Sequence, residues 1–453
     1  MRTFLLLTAA AAAATAQPSA LTVSQVVESA LRNYPSIRVS AEQIQAAAAG
    51  IQLARTAYLP RVDALAQANY ATRNNVFGLL FPQSVIPPIS GPVLSSDRAG
   101  FIFGSALGAL VTWEPFDFGQ RRAAVAAAGS ARAQSEAVLQ RTRFETAATA
   151  ADAYLTLAAA QETVHAAQAG VDRAEAIART VTALANAQLR PGADQSRAEA
   201  EVAAARTQRI QADTAVDIAR ANLARFTGGD PARIAIAPQP LLRLPENPAT
   251  PSLNPAANPY LVEQNAVIEQ ARAQLRVLER SYFPRFYAQG SVYSRGTGAE
   301  ANGERLGGAN GLAPNTPNAA IGFTVTFPVM DYAALHSREA AQSAAIRSQA
   351  ARADQIAVEL RAQFNRATAE YAGARRIAAN TPIQVAAARA ASEQAAARYQ
   401  SGLGNIDEVA EAQRLLTQAE IDDALARLNT WRGLLAIATA AGDIQPFLAE
   451  VGK

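Results

Sequence analysis

The chain has 453 residues, a formal net charge of +3, no Cys and two His, and half of its residues are hydrophobic while only 6% are aromatic. About a quarter of it is Ala, far above ordinary usage, and Ala favours long helices whose backbones approach closely over a thick core. The absence of Cys excludes thiolate zinc sites, iron–sulfur clusters, thiol nucleophiles and an acylated N-terminal cysteine; two isolated His argue against a metal site, and a chain whose one lysine is Lys453 has no basic block for nucleic acid.

Residues 1–16 read as a cleavable signal peptide. Arg2 supplies a positive start, an apolar stretch runs from Phe4 to Ala14, and Ala14-Thr15-Ala16 is a small-x-small cleavage site. No later stretch of eighteen apolar residues occurs, so an exported chain of this kind that spans a membrane must do so with strands. Residues 41–57 are rich in helix formers, and Pro60 ends that helix. Residues 61–72 then alternate, with Val62, Ala64, Ala66, Ala68 and Tyr70 on one face. A Gly-, Pro- and Asn-rich loop is expected at 73–98, and alternation returns at about 100–114 with Phe101, Phe103, Leu107, Val111 and Trp113 on one side.

From Gly119 to Leu189 there is no proline, and one helix of about 70 residues would reach roughly 105 Å. The break at Arg190-Pro191-Gly192-Ala193 leads into a return helix expected at 194–227. Eight prolines between 231 and 259 make 228–258 a linker. The order then repeats. Asn33-Tyr34-Pro35 and Pro60 stand at the spacing of Asn258-Pro259-Tyr260 and Pro284, and Trp113-Glu114-Pro115-Phe116-Asp117-Phe118 matches Phe327-Pro328-Val329-Met330-Asp331-Tyr332. The first repeat is therefore 17–227 and the second 259–442, with strands at about 285–295 and 319–328, a loop at 296–318, a long helix at 333–400 and a return helix at 406–439. A kink is expected at Pro382, with Gly170 at the matched place of the first half, and 443–453 reads as a C-terminal tail.

One chain thus offers four strands with a greasy face. Four strands cannot close, and open edges are not tolerated in lipid, so closure must come from other copies; three copies give twelve strands. Trp113, Phe116, Phe118 and Phe327 lie where strands meet helices and fit an interfacial aromatic belt.

The duplicated order, the Pro-ended helix before each first strand, the signature Pro115-Phe116-Asp117-Phe118-Gly119 and the tip Tyr399-Gln400-Ser401-Gly402 resemble the TolC-like outer membrane factors over about residues 21–442. The resemblance implies an α+β membrane protein: a homotrimer whose twelve-stranded transmembrane β-barrel in the Gram-negative outer membrane continues as a long periplasmic α-helical barrel. It implies a non-enzymatic exit duct of a tripartite efflux pump or a type I secretion system, partnered by a periplasmic adaptor and an inner membrane transporter, embedded in outer membrane lipid, with no cofactor, metal or catalytic residue. By the same resemblance Tyr399 matches a gate tyrosine and Asp194 its acidic partner. Glu408 and Glu411, one helix face apart by three, match an acidic ring. The family often carries a basic residue two positions after the tip glycine, where this chain has Gly404, and Arg190 or Arg398 is the available substitute. The tips Arg190, Pro191 and Gly192, and Ser401, Gly402, Leu403 and Gly404, are the implied adaptor-docking sites. A periplasmic adaptor is the alternative; it requires a single hairpin within lipoyl-like β segments, whereas this text has two. An exported hydrolase requires a nucleophile, base and orienter, and no such constellation is present.

Overall fold

The computed structural model describes residues 20–72, 101–246, 248–300 and 305–452. The expected signal peptide, the expected loop at 73–98 and residues 301–304 of the second loop lie outside the described residues. The chain divides into two compact units. One takes in residues up to 42, 136–265 and 352 onward; the other takes in 43–135 and 266–351.

The first unit is helical. Helix α1 (Val23–Asn33) opens with a capping box in which Thr22 and Gln25 satisfy each other's backbone N–H groups. Its apolar residues Val23, Val26, Val27 and Ala30 fall at helical spacing and are buried against Ala147, Ala151, Tyr154 and Leu155 of α3 (Gln120–Asn186) and Leu223 of α4 (Gly192–Thr227). Fully burying a leucine of this kind stabilises by roughly 1.5–3 kcal/mol. Helix α2 runs over Pro35–Thr56, six residues ahead of the start the sequence indicates. Pro35 is acceptable there because the first helical N–H has no partner in any case. The Tyr34 ring before it stacks on Phe226 at 5.1 Å.

The proline-rich linker carries three short 3₁₀ turns, Pro231–Arg233, Gln239–Leu242 and Pro255–Ala257. It is tied down by polar anchors: the Tyr154 hydroxyl lies 3.0 Å from the Leu21 carbonyl and 2.9 Å from that of Ala237, and Trp431 Nε1 donates to the Arg243 carbonyl at 3.0 Å. Helix α5 (Pro259–Arg280) begins the second half, which holds α6 (Tyr332–Gln400) and α7 (Ile406–Ala441). In each half the return helix ends on a left-handed glycine, Gly228 or Gly442. Helices α6 and α7 meet closely at Gly433, where a Cβ would lie 2.9 Å from Tyr371 Cα. Pro382 sits inside α6, and beside it Thr381 donates to Asp423 at 2.7 Å. Gly170 of α3 serves packing: a Cβ there would stand 3.0 Å from Thr417 Oγ1. The segment read as a C-terminal tail folds instead as α8 (Gln445–Val451), because Phe447 and Val451, one turn apart, find buried seats beside Trp431 and Leu434.

The second unit is built on a four-stranded antiparallel sheet in the order β1 (Arg61–Thr72), β2 (Phe101–Phe116), β3 (Arg285–Thr297), β4 (Thr316–Thr326). The two halves join through β2 and β3, with Val111 opposite Gly290 and Trp113 opposite Ala288. Strand β4 starts and stops earlier than the alternation suggests. Pro317 is admitted because β4 is an edge strand, and Pro328 halts the pairing before Phe327. One sheet face carries Val62, Val111, Trp113, Val292, Ile321 and Phe323, all exposed in the single chain; the opposite face carries Asp63, Thr112, Gln289, Ser291 and Thr324. Edges β1 and β4 are both left without a strand partner among the described residues.

Candidate functional site

The helical tips are made by two turns of one design. Helix α3 ends at Asn186, Gln188 takes φ 57°, and the N–H groups of Gln188 and Leu189 bond back to Ala185 and Leu184 at 2.9 Å each. After α6, Gly402 takes φ 82°, and Gly402 and Leu403 bond back to Tyr399 at 3.1 Å and to Arg398 at 2.8 Å. Both are Schellman turns, which satisfy carbonyls that a helix end leaves open. The chain then re-enters helix behind Pro191 in the first half. In the second half Asn405 accepts from the Glu408 N–H at 2.8 Å and caps α7.

Tyr399, on the last turn of α6, is only 1% exposed and packs with Val181, Ala198, Ile406 and Val409. Its hydroxyl donates to Asp194 Oδ2 at 2.9 Å. The Arg190 guanidinium lies 4.4 Å from the ring centroid and donates to the Tyr399 carbonyl at 2.6 Å, with the Gly404 carbonyl 3.4 Å away. Tyr399, Asp194 and Arg190 therefore form one cluster joining the two hairpins of the same chain. Burial and the Asp194 carboxylate push the Tyr399 hydroxyl up to about 12, against a smaller opposing pull from Arg190. The proton stays on the tyrosine at physiological pH.

Glu408 and Glu411 stand apart from that cluster. Glu408 faces Arg398 at 4.0 Å and Glu411 pairs with Arg414 at 3.4 Å, both carboxylates largely in solvent. Arg398 also donates to the Leu403 carbonyl at 3.2 Å. Gly404 leaves little room for the basic residue of the related pattern, since a Cβ there would meet Arg398 Cβ, Glu408 Oε2 and Tyr399 N at 3.3 Å. Leu403 is exposed and Ser401 turns its hydroxyl back onto Ala397 at 2.9 Å. Between α3 and α4, beside the first tip, lies a depression of about 650 Å³ bordered by Glu175, Arg179, Asn186, Glu199 and Arg206.

Further residues at the tips have no sequence signal. Arg197 pairs with Glu201 at 3.3 Å and Asp407 at 3.4 Å, and Arg414 reaches Glu201 at 3.6 Å, so α4 and α7 are cross-linked by ions more than 200 residues apart. Deeper, Arg173 of α3 holds Glu420 and Thr417 of α7 at 2.9 Å each.

In the sheet unit, Trp113, Phe116 and Phe327 are exposed, and Trp113 Nε1 donates to the Tyr58 carbonyl at 3.2 Å. Phe118 is half-buried, 4.6 Å from the Phe116 ring and 5.2 Å from the Phe283 ring. Its φ of 48° is explained by Asp117, whose carboxylate caps α3, accepting from the N–H groups of Gly119 at 3.0 Å and Arg121 at 2.7 Å. The Arg121 side chain returns to Asp117 at 2.7 Å and reaches the Ala57 carbonyl at 3.1 Å. Among the described residues no group of three or more His, Asp or Glu side chains is placed to hold a metal, and no helix is long and apolar enough to cross a membrane.

The family model of the outer membrane efflux proteins matches residues 26–229 and 251–443. No match was found among curated proteins. Among solved structures, the Campylobacter jejuni CmeC outer membrane channel is similar at 15% identity and a TM-score of 0.73, over 93% of this chain and 85% of that one. The outer membrane protein VceC from Vibrio cholerae is similar at 18% identity and 0.69, over 93% and 96%. The open state of the Neisseria gonorrhoeae MtrE outer membrane channel is similar at 18% and 0.67, over 93% and 89%.

Proposed function

This chain belongs to the outer membrane efflux protein family, and from that premise we propose that it is the passive exit duct of a tripartite efflux pump or type I secretion system, working as a homotrimer. The observation that carries this reading is the sheet: one apolar face, one polar face and two edges unpaired among the described residues. Edges of this kind are unstable in lipid, and pairing β1 of one copy with β4 of the next supports a closed barrel with the apolar face outward. Three copies supply twelve strands, wide enough for an aqueous lumen. Residues 1–16 are the export signal of this reading, and an inner membrane transporter and periplasmic adaptor bring substrate to the helical end. The tip turns and the depression between α3 and α4 are the adaptor's docking sites. No chemistry on the substrate is required, so the protein is not an enzyme.

At the tips, the Tyr399–Asp194–Arg190 cluster is the latch that holds the two hairpins of each chain together. Glu408 and Glu411 form the acidic ring: three copies place six carboxylates about one axis and favour cations. The test is conductance in a planar bilayer. The natural protein is expected to give a small, cation-selective current. Tyr399→Ala with Glu408→Gln and Glu411→Gln is expected to raise the current and abolish the selectivity. A current unchanged in size and selectivity would overturn the gate; no current from either protein would overturn the duct.

A further inference from the structure

The apolar sheet face is not evenly filled. On β3 this face steps down between Phe286 and Val292 to the small residues Ala288 and Gly290, while their neighbours on β2, Trp113 and Val111, and on β4, Ile321 beside Gly290, are large. The result is a cavity of about 380 Å³, open to the surface, floored by β3 and ended by Tyr58. Glycine inside a strand weakens it and often marks the close approach of a ligand. Here the place of its side chain is empty: a Cβ on Gly290 would meet nothing nearer than the Ala320 carbonyl at 3.9 Å. The walls are mostly hydrocarbon: Gln289 borders the groove from a strand position whose side chain belongs to the opposite face, Tyr58 closes one end, and the one polar group of Trp113 is already turned inward onto the Tyr58 carbonyl. An unfilled apolar slot is unfavourable in water and offers no partner to a polar ligand. It spans the outward face from β2 across β3 to Ile321 of β4, and strand pairing at the sheet edges runs within the sheet, so closing the barrel leaves the groove open on the outside.

We infer that this groove is a binding site for one acyl chain of a membrane phospholipid, held between Trp113 and Ile321 over Gly290. The inference rests on the barrel reading above, since the occupant is supplied by the bilayer that meets this face. The groove fixes the chain by shape. Neighbouring parts of the same face, where Val292 and Phe323 protrude, offer lipid only a moving contact.

The chain's two tryptophans make the test direct, because Trp431 is buried at 3% exposure in the helical unit and Trp113 lines the groove. The full-length protein is reconstituted into vesicles of phosphatidylcholine brominated on its acyl chains, and tryptophan quenching is recorded. Strong quenching is expected in the natural protein, with most of it lost in Gly290→Leu, which fills the groove, and in Ile321→Ala, which removes a wall. Gly322→Leu, on the opposite face and with open space around it, is expected to quench like the natural protein. Native mass spectrometry after detergent extraction is expected to find retained phospholipid in the natural protein and in Gly322→Leu only. Equal quenching and retention in all four proteins would overturn the groove and leave the barrel standing. No quenching in any of them would overturn both.

Discussion

Tyr399 shows how one residue does three jobs at a helix end, two with its side chain and one with its backbone carbonyl. Its ring fills the small core of the tip, its hydroxyl reaches Asp194, and its carbonyl takes the Arg190 donor. Tyr399→Phe keeps the ring and removes the hydroxyl, so the expected loss is about 0.5–1.5 kcal/mol, read as a lower melting temperature in detergent. The pH dependence has a definite sign. Because the folded-state value is raised to about 12, the hydroxyl's contribution is complete below the ordinary value of 10 and is lost as pH rises through 12. The gap between the two proteins should hold from neutral pH to pH 10 and close above it; a gap that stays unchanged as pH rises from 10 to 12 would contradict the arrangement. Gln188 gives the opposite kind of test. It occupies the left-handed position that Gly402 fills at the other tip, at a penalty of roughly 1–2 kcal/mol for a side chain with a Cβ. Gln188→Gly should raise stability by about 0.5–1 kcal/mol after the entropy of the added glycine is counted, and a lower melting temperature would show that the Gln side chain has a compensating contact.

At the scale of elements, the turn from β2 into α3 shows what the motif Pro115-Phe116-Asp117-Phe118-Gly119 is for. The carboxylate of Asp117 satisfies two N–H groups of the helix start and holds Arg121, with both side chains only 10% exposed. Burial works to raise its pKa, but the Arg121 and Gly119 hydrogen bonds outweigh it and hold it below 3.8. Asp117→Ala should lose about 0.5–2 kcal/mol at neutral pH. A depressed carboxylate contributes fully above its unfolded value, so this difference should shrink only below about pH 3.8, as the natural protein loses the cap. Thermal melts from pH 7 to 3 check both magnitude and direction. The matched turn of the second half, Pro328 to Tyr332, holds its backbone through the Asp331 N–H bonded to Pro328 at 3.2 Å, so the two halves share a position and differ in the cap.

The fold class was legible because its signals are periodic. Strict alternation marked Val62 to Tyr70, a proline-free run marked α3, and the repetition of landmarks tied one half to the other. The site was legible in part: the resemblance of the tip Tyr399-Gln400-Ser401-Gly402 to the family pointed to Tyr399, but nothing in the sequence says that its ring is buried in its own chain's tip. That depends on Val181 and Ala198, two hundred residues away, and on Arg190 stacking across the ring. The end of α3 was hidden for a different reason. Pro191 and Gly192 advertise a break, while the turn is made earlier, at Gln188, a residue type with no turn signature. The helix α8 was missed because seven residues are too few for a period to show.

For the whole molecule, the proposed trimer rests on the two sheet edges that have no strand partner among the described residues. Strands β1 and β4 end a meander that cannot close on itself, and closed rotational symmetry is the ordinary way for identical chains to bury identical edges. The chain has no cysteine, so introduced pairs form without competition. One cysteine is placed on β1 at Val62, Ala64, Ala66 or Ala68, and one on β4 at Ala319, Ile321, Phe323 or Val325, all on the face that carries Val111 and Trp113. Scanning the sixteen pairs covers the unknown register, since only partners with Cβ atoms about 3.5–4.5 Å apart can join. Oxidised membranes run without reductant should show, for the pairs in register, a ladder that stops at three chains. The register read from those pairs fixes the stagger of the barrel, and hence its tilt and bore. A ladder that stops at two chains, or one that climbs without limit, would show that the edges meet some other partner, and the twelve-stranded wall would fall with them.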